Sequence, residues 1–154
     1  MIHTSGIPVT ELLPHGPEMT VIDRLFSYDP KESVAIVAIG PEAKFFENGG
    51  VPAWVGIEYM AQTIAARAGF MARLRGERPA IGFLLGTREY ESRIAEFPNG
   101  SLLRISVQPL WEDAGVGAFQ CTIALDEIVA TAVVSTYQPG ADELARLRSA
   151  AGAA

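Results

Sequence analysis

Glu58 and Gln62 stand one helical turn apart in "FFENGGVPAWVGIEYMAQ" (45–62), a run that is otherwise almost wholly apolar. A carboxylate is costly to keep in apolar surroundings without partners, so its retention there points to a task. Two tasks fit. Glu58 is either an acid or base that moves a proton, or a structural carboxylate hydrogen-bonded to Gln62 or to another subunit. Gln62 suits orientation or a subunit contact better than reaction. His15, in "LLPHGPEM", is flanked by Pro14 and Pro17, which restrain the backbone and would fix the direction of an imidazole. It reads as a positioned acid or base, or more plainly as a partly exposed histidine in an N-terminal segment. Arg67, Arg73, Arg75 and Arg78 gather positive charge around the end of the same helix. They complement its dipole, or they dock an acidic, phosphate-bearing partner.

Other chemistries find little support. Ser5, Ser27, Ser92, Ser101 and Ser135 lack a nucleophile-elbow context, and Cys121 alternates within a strand pattern as a core residue would. "GFLLG" (82–86) and "GVG" (115–117) have no phosphate-loop lysine and no following helix, so they read as a strand irregularity and a hairpin turn. Two widely separated histidines and no local thiol or carboxylate cluster give no metal site.

The elements that must position Glu58 belong to one domain, 1–154, whose 49% hydrophobic content is enough for a core. A formal charge of −6 opposes nucleic-acid binding, which needs clustered cations to neutralise phosphates. A single cysteine forms no internal disulfide, and the opening "MIHTSGIPVTELLPHG" lacks a secretion signal, so the expected location is cytoplasmic. The most apolar window, Trp54 to Leu74, is interrupted by Glu58, Arg67 and Arg73 and is expected to be a buried helix, not a membrane span.

"ESVAIVAIG" (32–40), bracketed by Pro30 and Pro41, is expected to be the first strand. "NGG" at 48–50 supplies a turn, and a helix follows from Val55 to Leu74, stopped by Gly76 and Pro79. A stripe of small residues, Ala61, Ala65, Ala68 and Ala72, runs beside a bulkier one, so the helix is expected to be wrapped on most sides. Four strand-like stretches fill 80–139 and suggest a meander, with the tail from about 141 beginning as a short helix and then fraying. This order gives an α+β fold with a sheet curling around one helix.

Three segments together carry a family resemblance. "LLPHGPEMTVIDRL" resembles the LPHR-P-[FM]-LLVDR opening of the hotdog-fold 3-hydroxyacyl-acyl-carrier-protein dehydratases, and "PAWVGIEYMAQ" resembles their PGVLxxEAMAQ helix. "FLLGTREYESRI" with "PNGSLLRISVQPL" is similar to their strand pair around a P-G-D-x-L turn. "FFENGGVPAWVGIEYMAQ" also resembles a shorter subgroup associated with aryl polyene assembly. The resemblance implies a hotdog dimer, homo- or heteromeric, with an acyl tunnel at its interface. It implies Glu58 as catalytic acid or base, with Gln62 following it. The family's catalytic histidine, in a GHFPxxP loop, has no counterpart after Phe45-Phe46, leaving His15 as the histidine available to pair with Glu58. The turn Gly50, Val51, Pro52, Ala53 and Trp54 is then expected to contact the substrate, its backbone amides polarising the thioester carbonyl.

The implied reaction removes water from a 3-hydroxyacyl thioester on acyl carrier protein or CoA to give a trans-2-enoyl thioester. No cofactor is implied, since a phosphopantetheine arm belongs to the carrier. Two other readings remain: a hotdog thioesterase, in which the helix carboxylate activates water or attacks the thioester, and a non-catalytic subunit that stabilises an active hotdog partner.

Overall fold

The computed structural model describes residues 1–14 and 16–152. The first strand comes earlier than the sequence suggested. β1 (Ile2–His3) and β2 (Arg24–Asp29) precede β3 (Glu32–Ala38), the stretch expected to open the sheet. β2 and β3 form a hairpin in which the Asp29 carboxylate accepts the Lys31 amide at 2.9 Å, a side-chain turn that closes the chain tightly. The expected "NGG" turn runs into a short strand, β4 (Gly50–Pro52), paired with β6 (Glu96–Pro98) in a separate ribbon.

The long helix α1 (Gly56–Leu74) begins one residue after the expected start, behind a tight turn at Ala53–Val55. It ends at Gly76, whose φ of 71° turns the chain back and lets the Glu77 amide reach the Ala72 carbonyl. β5 (Phe83–Ser92), β7 (Leu102–Asp113), β8 (Val116–Ala124) and β9 (Ile128–Tyr137) supply the long strands. They are not a simple meander: the sheet order is β1-β2-β3-β7-β8-β9-β5, so β5 crosses to the far edge and pairs only with β9. At Ala114-Gly115 both residues have positive φ, the backbone of a tight two-residue hairpin between β7 and β8. The tail forms a regular twelve-residue helix, α2 (Ala141–Gly152), longer than anticipated.

Alternation places every second strand residue against the helix: Leu103, Ile105 and Val107 on β7, Phe119, Cys121 and Ile123 on β8, and the smaller Ala130 and Ala132 on β9. From α1, Tyr59, Met60, Ile64 and Phe70 fill the space above them. Each large apolar side chain so buried stabilises the fold by about 1.5–3 kcal/mol. The curved sheet around one helix is the expected α+β hotdog arrangement.

The helix is less completely wrapped than its composition implied. The sheet covers one side and Leu12 and Leu13 of the N-terminal segment close another, with α1 approaching so tightly that a Cβ at Gly69 would overlap the Leu12 carbonyl. Ala72 is buried, but Ala61, Ala65 and Ala68 remain part-exposed along an open groove. Among the described residues no helix is long and apolar enough to cross a membrane.

Candidate active site

Glu58 sits in the first turn of α1, where the amide dipoles of the helix N-terminus favour negative charge. Its side chain is exposed in the single subunit, contrary to the burial anticipated from its apolar neighbours, because the helical period turns it away from Tyr59 and Met60 toward the open groove. The groove, about 140 Å³, is bounded by the part-exposed alanines of α1 on one side and by Gly82, Leu84 and Thr136 to Gln138 from the β5–β9 edge on the other.

Gln62, one turn on, is 1% exposed and bonds through both ends of its amide. Its Oε1 accepts the Val21 amide at 2.8 Å, while Nε2 donates to the Met19 carbonyl at 2.7 Å and to Glu58 Oε1 at 3.0 Å. These bonds use both N–H donors and one of the two acceptor sites of the amide, which borders the groove beside Glu58. Gln62 thereby fixes one oxygen of Glu58 and ties the helix to residues 19–21. Lys44 reinforces that segment by donating to the Pro17 and Thr20 carbonyls. His15 lies outside the described residues. On either side of it the chain is held against α1, by Leu12 at Gly69 and by Met19 at Gln62.

The expected substrate turn is occupied otherwise. Val51 is fully buried and belongs to the core. The Gly50 amide donates to the Glu47 carbonyl in a local bridge and the Ala53 amide to the Ala95 carbonyl beside β6, so two of the turn amides expected to polarise a carbonyl are already paired. None of Gly50, Val51, Pro52, Ala53 and Trp54 borders the groove beside Glu58. Trp54 is 61% exposed and stacks edge-on against Phe45, with centroids 5.4 Å apart. Tyr90 donates its hydroxyl to the Ala53 carbonyl and occupies the space left by Gly56, bracing the entry to α1. Burial raises the Tyr90 phenol to about 12; burial first, and then the charge of Asp23, also raises Tyr59.

The arginine cluster divides. Arg67 is 5% exposed and lies between helix and sheet, ion-paired with Glu112 at 3.1 Å and set over the rings of Tyr28 and Phe119. It cannot join a surface patch. Its position was legible: residues 60, 64, 67 and 71 share one helical stripe, and the other three are apolar. Arg73 and Arg75 are exposed and paired with Glu11 and Glu77, while Arg78 is exposed. Sequence reasoning also missed the far wall, Thr136 to Gln138, since only the β5–β9 crossover brings it to α1.

A carboxylate held by an amide at the mouth of a largely apolar groove can take or give one proton at an elongated substrate, and comparison with known proteins bears on which substrate. The family model described as ApeP-like, ApeP dehydratase, matches residues 7–148. Among solved structures, the dehydratase heterocomplex ApeI:P from Xenorhabdus doucetiae superposes with a TM-score of 0.84 at 29% identity, over 92% of this chain and 97% of that one. Zebra fish thioesterase superfamily member 2 (TM-score 0.60, 12% identity, 82% of this chain and 88% of that one) shares the fold. So does a hypothetical thioesterase with coenzyme A from Streptococcus pneumoniae TIGR4 (0.59, 9%, 75% and 84%). No curated protein sequence matches.

Proposed function

The chain belongs to the ApeP-like dehydratase family, and from that premise we propose that it removes water from a 3-hydroxyacyl thioester carried on acyl carrier protein, within aryl polyene synthesis. The supporting observation is the carboxylate of Glu58, oriented by Gln62 at the mouth of a groove whose helix side is alanine. In this reading a base withdraws a proton from C2, the electron pair forms the C2–C3 double bond, and the C3 hydroxyl departs with a proton as water. Glu58 handles one of these transfers. His15, on a segment held to α1 at both flanks, handles the other. The pantetheine arm arrives with the carrier, and a reducing, cytoplasmic setting suits a chain with one thiol.

The partner in this proposal is a second hotdog subunit of different sequence, as the ApeI:P heterocomplex suggests. Two features of the single subunit support it. Glu58 faces solvent, so the groove needs a cover to exclude water, and the edge strand β5 presents Leu84, 47% exposed at the groove wall, and Leu85, 58% exposed next to it in the chain. Exposed Arg73, Arg75 and Arg78 remain as the basic surface for an acidic carrier.

The test is an enoyl-forming assay on a carrier-bound 3-hydroxyacyl thioester, with the protein alone and with its co-expressed hotdog partner. Conjugated enoyl product that disappears in Glu58→Gln and His15→Ala supports dehydration by this pair. Thiol release from saturated and 3-hydroxy substrates alike would establish a thioesterase instead. Turnover by the complex that survives both substitutions would make this chain a supporting subunit.

A further inference from the structure

The turn that holds Gln62 is itself held from its other side. Residues 16–20 close on themselves: the Met19 amide and the Thr20 hydroxyl both donate to the Gly16 carbonyl, at 3.0 and 3.2 Å, and the Thr20 amide donates to the Pro17 carbonyl. The carbonyls of Pro17 and Thr20 then take a further donor, Lys44 Nζ, which lies 27 and 24 residues away in the chain. With Gln62 bonded to Met19 and Val21, the turn is gripped between one lysine and one glutamine.

Lys44 is exposed, and an exposed lysine loses rotamer freedom when its ammonium is tied down, so a tethered one points to a task. The next residue gives a second sign. Phe45 has a φ of 66°, a left-handed conformation that bulky side chains rarely adopt and that persists only where the surroundings enforce it. The reversal there sets the Phe45 ring against exposed Trp54, while Phe46 packs on the core and Lys44 reaches the turn.

The consequence falls on Glu58. The turn decides which way the Gln62 amide faces, since the Val21 amide donates to Oε1 and the Met19 carbonyl accepts from Nε2. Turned over, the amide would set Oε1 against the Met19 carbonyl and the Glu58 carboxylate, acceptor against acceptor. A turn that drifts therefore frees the amide, and with it the Glu58 oxygen that the amide holds at 3.0 Å.

We propose that Lys44 is a positioning residue for Glu58: by gripping Pro17 and Thr20 it fixes the turn, the turn fixes the sense of the Gln62 amide, and the amide fixes the carboxylate. That Glu58 moves a proton rests on the dehydratase reading above. The chain of contacts does not.

The test compares Lys44→Met, which keeps most of the stem and removes the donors, with Lys44→Arg, which keeps charge and donors, in the protein with its co-expressed hotdog partner. The side-chain NH2 resonances of Gln62, assigned by their loss in Gln62→Leu, report the amide directly. They are expected to be slow to exchange with solvent in the wild type and in Lys44→Arg, and to exchange about tenfold faster in Lys44→Met. On a carrier-bound 3-hydroxyacyl thioester, kcat of Lys44→Met is expected to fall about tenfold, as for a reacting group left loosely placed, and Lys44→Arg to recover most of it. KM should stay within about twofold, because Lys44 does not border the groove. Should Lys44→Met express poorly, Lys44→Gln, which keeps one amide donor, gives a milder form of the same loss. A lysine that served the fold alone would lower Tm and leave kcat per folded molecule unchanged, and that result would overturn the proposal, as would Gln62 resonances that exchange as in the wild type. Faster exchange in Lys44→Met, with no turnover of any thioester by the wild-type complex, would uphold the grip on Gln62 and sink the dehydratase. Wild-type turnover that Lys44→Met retains in full would do the opposite.

Discussion

Replacing Gln62 by leucine keeps the volume and removes a hydrogen-bonding hub. Three bonds go: to the Val21 amide, the Met19 carbonyl and Glu58. Glu58 is exposed and recovers its loss in water, whereas the two backbone groups are left facing a buried leucine. Both are part-buried, so each is expected at the lower end of the usual 1–3 kcal/mol for an orphaned group, a total of about 2–3 kcal/mol. For a chain of this length 1 kcal/mol moves Tm by about 2–4 °C, so Gln62→Leu should melt about 5–10 °C below wild type. Gln62→Glu sharpens the argument, because a carboxylate accepts from Val21 but cannot donate to Met19 and faces the like charge of Glu58. Its deficit should shrink on acidification, when the introduced carboxyl gains a proton and again donates. Calorimetry across pH 4–8 reads both, and amide exchange at Val21 should accelerate in the leucine variant alone. A leucine variant melting within 2 °C of wild type, with the Val21 amide still protected, would show that Gln62 does not hold the segment.

Other outcomes follow from the same contacts. Glu58→Gln should lower enoyl formation by about 10²–10⁴-fold, the usual scale for losing a general acid or base, while its stability stays within about 0.5 kcal/mol of wild type, measured by denaturant titration. Gly69→Ala should cost about 3 kcal/mol or more, since the Leu12 backbone blocks the new methyl and the N-terminal segment must lift, which proteolysis near residues 12–20 would report. Burial raises the Cys121 thiol and the Tyr90 phenol to about 12, so both are neutral in the native state where the unfolded chain would already ionise. Stability is therefore full below pH 9 and falls as pH rises from about 9 to 12, and alkylation of Cys121 at pH 8 should track global unfolding.

Sequence patterning located α1 to within a residue and β7, β8 and β9 to within two or three at their ends, because each carries a sustained period that burial enforces. β1 and β4 escaped notice because two or three residues cannot display a period, and the six residues of β2 display only a short one. The Asp29-Pro30-Lys31-Glu32 stretch was a usable hairpin signal. Pairing of β5 with β9 across an intervening β7–β8 hairpin is a tertiary choice that no local pattern encodes. Apolar neighbours suggested that Glu58 and Gln62 share a buried setting, yet four residues of helix place one in the groove and the other beneath the N-terminal segment. Charge clustering likewise joined Arg67 to three surface arginines, although the helical stripe it shares with Met60 and Ile64 sends it inward.

The strand order also dictates what happens while the chain is being made. Much of the surface that covers α1 is encoded after it, in β7, β8 and β9, and β3 must wait for a partner more than sixty residues downstream. At synthesis rates of about 5–20 residues per second the nascent helix spends several seconds with Met60, Ile64 and Phe70 uncovered, a period in which a holdase or a sister subunit already folded nearby has first access to it. Assembly of such a subunit is thereby coupled to the timing of translation, and slowing elongation between codons 75 and 102 should lower the yield of soluble protein without changing a single contact in the finished fold.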